Sequence, residues 1–304
     1  MSSFLSLLAC PVCRGKLAWA PEQARCESCG QAYPVVDGIP VLLPPGVESN
    51  FHKQSQAEFF DHEDPEWEIS RPHGAPEVYR WLLEQKFARS VSSLRELLPG
   101  ATALTLCGGS GMDAEFLART GARVIASDLS LGAARRARQR AERYGLELQP
   151  VVADAEALPL ADRAVDLAYV HDGLHHLEDP LAGLGEMARV AKVAVSITEP
   201  AKAAATRLAV LIGFSSDEEE AGNRVERIRP ETLSAGLASR GFRVVVCRRY
   251  AMLYRHRPGP VFRFLSLPVV AGLAKLALRA GNLIVGRVGN KFTLQARRQD
   301  AAAP

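Results

Sequence analysis

The 304-residue chain lacks a long uninterrupted apolar run. Its greasiest stretch, residues 259–288, is broken by Arg263, Pro268, Lys275, Arg279 and Arg287. A membrane-spanning helix wants about twenty consecutive apolar residues, so this stretch does not qualify. A secretory leader is also missing. Phe4–Ala9 is too short for its apolar core and has no basic residues ahead of it. The expectation is a cytoplasmic chain whose thiols stay reduced. Aromatic residues make up only 7%. No aromatic-rich basic surface of the kind that stacks nucleotide bases is evident. There is no internal repeat and no low-complexity tract. Cysteine is scarce too, at six residues, and four of these fall within the first 29 positions.

Those four are Cys10, Cys13, Cys26 and Cys29, spaced C-x2-C-x12-C-x2-C. Each CxxC is a tight knuckle that turns two thiolates toward one point. Two knuckles on facing hairpins give four sulfurs in a tetrahedron, which suits Zn2+. With four cysteine ligands no position is left for a reactive water, so the metal is structural. Disulfides do not suit a reducing compartment, and a rubredoxin-like iron shares the spacing and stays open. Gly15 and Gly30 follow the knuckles where backbone amides turn back toward sulfur.

The middle of the chain carries a second signal. Ala103–Leu106 reads as a buried strand, broken by Cys107-Gly108-Gly109-Ser110-Gly111. A helical pattern follows over 113–120, then a strand over 123–127 that ends at Asp128. This is the plan of a nucleotide-binding βαβ unit, in which glycines let the backbone approach the ligand and the later acid binds ribose hydroxyls. A helix over 131–144 leads to a strand ending in Asp154-Ala155-Glu156. A strand over 165–170 runs into the loop His171-Asp172-Gly173-Leu174-His175-His176-Leu177.

This ordered set resembles the class I S-adenosylmethionine-dependent methyltransferases, over roughly residues 75–250 plus the last strand. The resemblance implies an α/β fold: a Rossmann-like seven-stranded sheet with helices on both faces. It implies S-adenosylmethionine (SAM) as cofactor, with Cys107, Gly109, Gly111, Asp128, Leu129, Asp154, Ala155 and His171 around it. Two positions depart from the family pattern: Thr105 stands where an acid is usual, and Cys107 where a glycine is usual. A cysteine is tolerated there when its backbone is not left-handed. Likewise Leu7–Leu43 resembles the small zinc-ribbon activator subunit of tRNA and protein methyltransferases, and the N-terminal ribbon of bacterial rRNA guanine methyltransferases.

The expected organisation is a zinc ribbon over 1–46, a lead-in lying over the cofactor or a linker over 47–78, and the methyltransferase domain over 79–304. Tyr79–Leu98 reads as an amphipathic helix, and Ser216–Glu220 as an acidic helix start. A helix opens at Arg229-Pro230, and strands follow over 242–248 and 291–297. Between those strands lies an insertion of some forty residues. In it Lys275, Arg279 and Asn282 share one helical stripe, as in a helix lying on a membrane surface, lidding a greasy pocket or packed on the core. From Asn223 onward there are 16 Lys and Arg against 3 Asp and Glu. That imbalance suits an anionic partner, such as lipid headgroups, RNA or a phosphorylated molecule, or is a solvated basic surface.

The substrate arrives at the carboxyl ends of the strands. His171, Asp172, His175 and Glu199 lie at that edge and are the acid–base candidates, with His171 and Asp172 first. His176 matches a family position that usually packs at a helix start. The Asp/Asn-Pro-Pro-Tyr loop of adenine and cytosine amino-methylating enzymes is missing, and neither Cys107 nor Cys247 suits a cytosine-C5 nucleophile. Three readings follow: O- or N-methylation of a small or lipid-like acceptor, methylation of rRNA or tRNA through the ribbon, and a non-catalytic partner-binding module.

Overall fold

The computed structural model describes residues 4–201, 228–252 and 256–300. The acidic start at Ser216–Glu220 lies outside the described residues. Four short strands open the chain: β1 (Leu17–Trp19), β2 (Gln23–Cys26), β3 (Ala32–Val36) and β4 (Ile39–Leu42). Seven longer ones follow: β5 (Thr102–Leu106), β6 (Arg123–Asp128), β7 (Leu148–Ala153), β8 (Val165–His171), β9 (Ala191–Pro200), β10 (Phe242–Tyr250) and β11 (Lys291–Arg298). Together they form one sheet in the order β1-β2-β3-β4-β7-β6-β5-β8-β9-β11-β10.

The last seven are the expected seven-stranded sheet. β5 to β9 are parallel, and β11 runs antiparallel between β9 and β10. Strand order reverses between β5 and β8, which places a crevice at their carboxyl ends. The whole sheet is longer than expected. β4 pairs in parallel with β7 through Val41–Val152 and Leu42–Ala153, which makes eleven strands in all. Leu8, Cys10, Tyr33 and Leu42 belong to the same apolar core as Leu104, Ile125 and Val151. The ribbon is therefore built into the sheet, and it shares a core with the domain behind it.

The lead-in forms two helices, α1 (Phe51–Asp61) and α2 (Pro65–Ser70). Asn50 caps the first by accepting from the Lys53 amide, and Asp64 caps the second. α3 (Glu77–Ser90) is shorter than expected. The chain leaves the helix at Val91 because the Ser93 amide and hydroxyl turn to Gln295 of β11, at 2.8 and 2.6 Å. The domain's remaining helices are α4 (Met112–Ala118), α5 (Leu131–Tyr144), α6 (Pro180–Val190) and α7 (Pro230–Ala238). In α7, Pro230 holds the first turn, as its fixed φ favours.

The insertion contains α8 (Pro260–Leu265) and α9 (Pro268–Val285). α9 lies along α3. Lys275 pairs with Glu77, the Arg279 guanidinium sits 5.3 Å from the Trp81 ring centre, and Ala271 and Ala274 pack beside Val78.

Candidate active site

A cavity of about 630 Å3 opens at the carboxyl ends of β5, β6, β7 and β8. Cys107, Gly109, Asp128, Leu129, Asp154, Ala155 and His171 all line it. Gly111 does not. It precedes α4 at φ +79°, and a Cβ there would lie 3.1 Å from the Ala137 Cβ, so its role is to let α5 pack against the loop. Gly109 has φ +51° and open space where a Cβ would point, which is a cradle for a ligand.

Asp128 ends β6 with its carboxylate fixed by two amides. Oδ2 accepts from Gly109 N at 2.8 Å and Oδ1 from Ser130 N at 2.9 Å. Each oxygen retains lone pairs for a ribose. Burial pushes this carboxyl above its ordinary range, and the two amides pull against it. Asp154 Oδ2 accepts from Lys53 Nζ at 2.6 Å, and the same ammonium reaches Glu156 at 2.8 Å. Lys53 thus ties α1 over the Asp154 side of the crevice. Phe60 lies edge-on to His176, with ring centres 5.7 Å apart, and His176 Nδ1 is 3.1 Å from Gln56 Oε1. The lead-in covers the cavity, and His176 packs against that cover.

Cys107 has φ +48°, so its backbone is left-handed, contrary to the condition under which cysteine fits easily there. The loop keeps glycine geometry although the side chain has changed. Thr105 Oγ1 is buried without a hydrogen-bond partner, 2.9 Å from where a Gly108 Cβ would sit.

The four acid–base candidates separate into two pairs. His175 and Glu199 are not brought to the cavity. Glu199 is fully buried, where its carboxylate accepts from Gly173 N (3.1 Å) and Leu174 N (2.8 Å) and meets His175 Nδ1 at 2.7 Å. This pair shapes the 171–177 loop and is corrected here from reacting groups to positioning residues.

His171 and Asp172 do face the cavity. The His171 ring is buried, and neither nitrogen makes a hydrogen bond, although Nε2 lies 3.3 Å from Asp172 Oδ2. Burial, with Lys86 nearby, holds the imidazole below its ordinary pKa. Asp172 adopts φ +50°, pairs with Lys291 through Oδ2, and leaves Oδ1 buried and unpartnered. Burial opposes its charge, but Lys291 and His171 outweigh that and keep the carboxyl well below the usual range. Asp113 lies opposite, with Tyr169 OH at 3.1 Å and Lys86 Nζ at 3.7 Å.

Sequence reasoning missed Lys53, Lys86, Asp113 and Lys291, and two arginines on α5. Arg140 is fully buried. It bonds Ser110 O at 2.8 Å and Glu115 at 2.6 Å, and also reaches Glu68 O. Arg136 bonds Ser110 Oγ at 2.8 Å. Their signal was present: both lie on the stripe of Ala133, Ala137 and Ala141, where small residues leave room for a long side chain. At the far end of the cavity His256 links Glu68 (2.7 Å) to Arg71 (2.9 Å). With Arg71 also 3.6 Å from Glu68, the three side chains form a hydrogen-bonded latch.

At the front, Cys10 Sγ lies 3.7 Å from Cys29 Sγ, and Cys13 Sγ lies 3.4 Å from Cys26 Sγ. Sulfurs bound tetrahedrally at about 2.3 Å from zinc would stand about 3.8 Å apart, so the four fit the ion. The Cys29 amide points at Cys26 Sγ, at 3.5 Å, and Tyr33 OH is 3.0 Å from Cys10 Sγ. The Cys29 amide leads the effects that lower the Cys26 thiol to about 6, while, against the pull of the Gly15 amide, its sulfur neighbours push the Cys13 thiol up.

The sheet order, the glycine cradle and the acid at the end of β6 give the fold of a Rossmann-like nucleotide-binding domain, with a four-cysteine ribbon in front of it. Comparison with known proteins particularises this. Residues 104–195 match the family described as methyltransferase domain, and residues 2–38 the family described as Trm112p-like protein. The demethylmenaquinone methyltransferase of Corynebacterium urealyticum is 40% identical over 97 residues, 32% of this chain and 40% of that protein. That of Renibacterium salmoninarum is 29% identical over 136 residues, 45% of this chain and 54% of that protein. The chain thus spans about half or less of these relatives.

Among solved structures, magnesium protoporphyrin IX methyltransferase from Synechocystis PCC 6803, with bound SAH, superposes at TM-score 0.55 and 19% identity. The match covers 81% of this chain and 99% of that one. Phosphoethanolamine N-methyltransferase 2 of Haemonchus contortus, in complex with S-adenosyl-L-methionine, gives 0.52 and 15%, over 80% and 60%. These two likenesses speak for the fold.

Proposed function

We propose that the protein transfers a methyl group from SAM to a small, lipid-like acceptor of the kind named in its demethylmenaquinone methyltransferase relatives. The observation that carries the reading is His171. It is a buried imidazole with no hydrogen bond, beside an ionised Asp172 and open to the same cavity as the glycine loop.

Bound SAM supplies an electrophilic methyl on a sulfonium. The chain's own residues do the rest. The turn at Gly109 and the Asp128 carboxylate hold the nucleoside, Asp154 and Ala155 flank its base, and Lys53 closes the cover. Fixing the acceptor in line is the largest contribution to rate. His171, held neutral by burial, takes the proton of an acceptor hydroxyl or amine. Asp172 stabilises the imidazolium that results, and Lys291 keeps Asp172 ionised. The ribbon's zinc holds structure and takes no part in the chemistry.

The reading places the enzyme on the cytoplasmic side, with residues 259–288 in peripheral contact with a membrane from which the acceptor is drawn. The test is incubation with methyl-labelled SAM and, separately, demethylmenaquinone held as its quinol by an added chemical reductant, which supplies the acceptor hydroxyl, membrane lipid extract and total RNA. Label in the lipid fraction, abolished in His171→Ala at saturating SAM, is the expected result. Label in RNA alone would favour the RNA reading. Absence of SAM binding would leave a partner-binding module.

A further inference from the structure

The helix α9 turns only a narrow side to the domain. Ala271, Ala274 and Leu278 pack inward, Lys275 pairs with Glu77, Asn282 bonds the backbone of Ala251 through both ends of its amide at 2.9 and 2.8 Å, and the exposed Arg279 lies at the edge over Trp81. The helix's apolar face points outward. Val269 is 87% exposed, Leu273 69%, Leu276 63% and Leu283 87%, and Phe264 of α8 adds 61%. Apolar surface gathered on this scale marks a contact with something apolar.

Two further observations say what covers it. Residues 259–288 hold no acidic residue, and while Lys275 is taken up by Glu77, Arg263 and Arg287 are exposed and keep their charge toward solvent. A second copy of the same face would bring like charges together, whereas anionic headgroups would be attracted. The insertion is also rooted in the rim of the cavity. Met252, before it, and Asn290 and Lys291, after it, line the site. Asn290 clamps Met252 through two 2.8 Å hydrogen bonds. The expectation that residues 259–288 do not qualify as a span is corrected: by length and composition alone Pro268–Val288, 21 residues, is apolar enough to cross a bilayer, because its few charges are spread along the helix. The docking of α9 along α3 nevertheless holds it against the domain.

We propose that the outer face of α8 and α9 lies in the surface of an anionic bilayer and sets the rim at Met252 and Asn290 against the leaflet, so that the acceptor passes from lipid to cavity without crossing water. This rests on the lipid-acceptor reading above and adds the route to it.

The experiment uses the full chain with phosphatidylcholine vesicles, with and without phosphatidylglycerol. Co-sedimentation is expected with the anionic vesicles and is expected to weaken with salt. Replacing Arg263 and Arg287 by Gln should lower the partition roughly fivefold per charge. The triple variant Leu273→Ser, Leu276→Ser, Leu283→Ser should lower it at least about tenfold. Because these side chains are exposed, its thermal unfolding should match that of the unaltered chain.

Activity is then read on two acceptors. The triple variant should lose at least about tenfold on a long-chain prenylated quinol in vesicles. It should be unchanged on a short-chain, water-soluble analogue. Vesicle binding equal in the triple variant and the unaltered chain would overturn the proposal. So would an unaltered chain that ignores vesicles, or one that dimerises through this face and leaves vesicles unbound. Vesicle binding is measured without any acceptor. A chain that binds vesicles but methylates neither quinol therefore defeats the acceptor reading and leaves the docking surface standing.

Discussion

Asp128→Asn is the sharpest probe of the cofactor site. The substitution keeps the shape and removes the charge. Both carboxylate oxygens already accept from amides, Gly109 N and Ser130 N, at 2.8 and 2.9 Å. An asparagine can accept from only one of them, and its NH2 must face the other or the ribose. Hydrogen bonds to a charged group contribute about 1.5–3 kcal/mol each. Losing one toward the ribose, with partial disruption of the loop, costs about 3 kcal/mol, or roughly 150-fold in SAM affinity.

Titration calorimetry with SAM, and with the demethylated product, measures this directly. The pH dependence gives a second readout. Burial raises the Asp128 carboxyl in the folded chain, so on acidification the charge is lost earlier than for an ordinary aspartate. Affinity should therefore begin to fall above the usual aspartate range, and the asparagine variant should lack that limb. Affinity within about threefold of the unaltered chain, with the pH limb retained, would refute the ribose assignment.

Other outcomes follow from single features. His171→Asn should lower kcat, measured at saturating SAM, by about 10^2 or more. In the unaltered enzyme the acid limb of kcat should lie below the ordinary histidine range, because burial lowers this imidazole and it remains a base to lower pH. Cys107→Gly should be more stable to urea than Cys107→Ala by about 1 kcal/mol, since only glycine is unstrained at φ +48°. Arg140→Met breaks the buried pair with Glu115 and should cost about 3 kcal/mol in urea unfolding. Glu115 is held below its ordinary range when folded, so its contribution is present above the unfolded carboxyl pKa and lost as pH falls through the folded value. Cys26→Ser, or a strong chelator, should release zinc and lower a single unfolding transition of the whole chain, because Cys26 belongs to the main core.

The parallel sheet was legible because its strands are short apolar runs ended by glycine turns or acids, a pattern that local physics writes into the residues themselves. Asp128, Asp154 and the four cysteines were readable for the same reason, since their meaning lies in spacing. What escaped was everything set by distant packing. Lys53 and Lys291 reach their partners across 101 and 119 positions. Nothing beside Glu199 in sequence says that its carboxylate is taken up by the 173–175 turn. The facing of α9 is likewise invisible in a helical wheel, which shows two stripes without saying which one the protein covers.

The junction of β4 with β7 has one more consequence. A parallel sheet that stopped at β7 would offer a row of unsatisfied backbone groups to any neighbouring chain, and the front module caps that border with its own hairpins. Severed in the Pro44–Gly46 stretch, the two fragments should each be sticky alone and should find one another when made together. The cysteine module is then best regarded as a selvedge woven into the cloth, whose removal frays the whole.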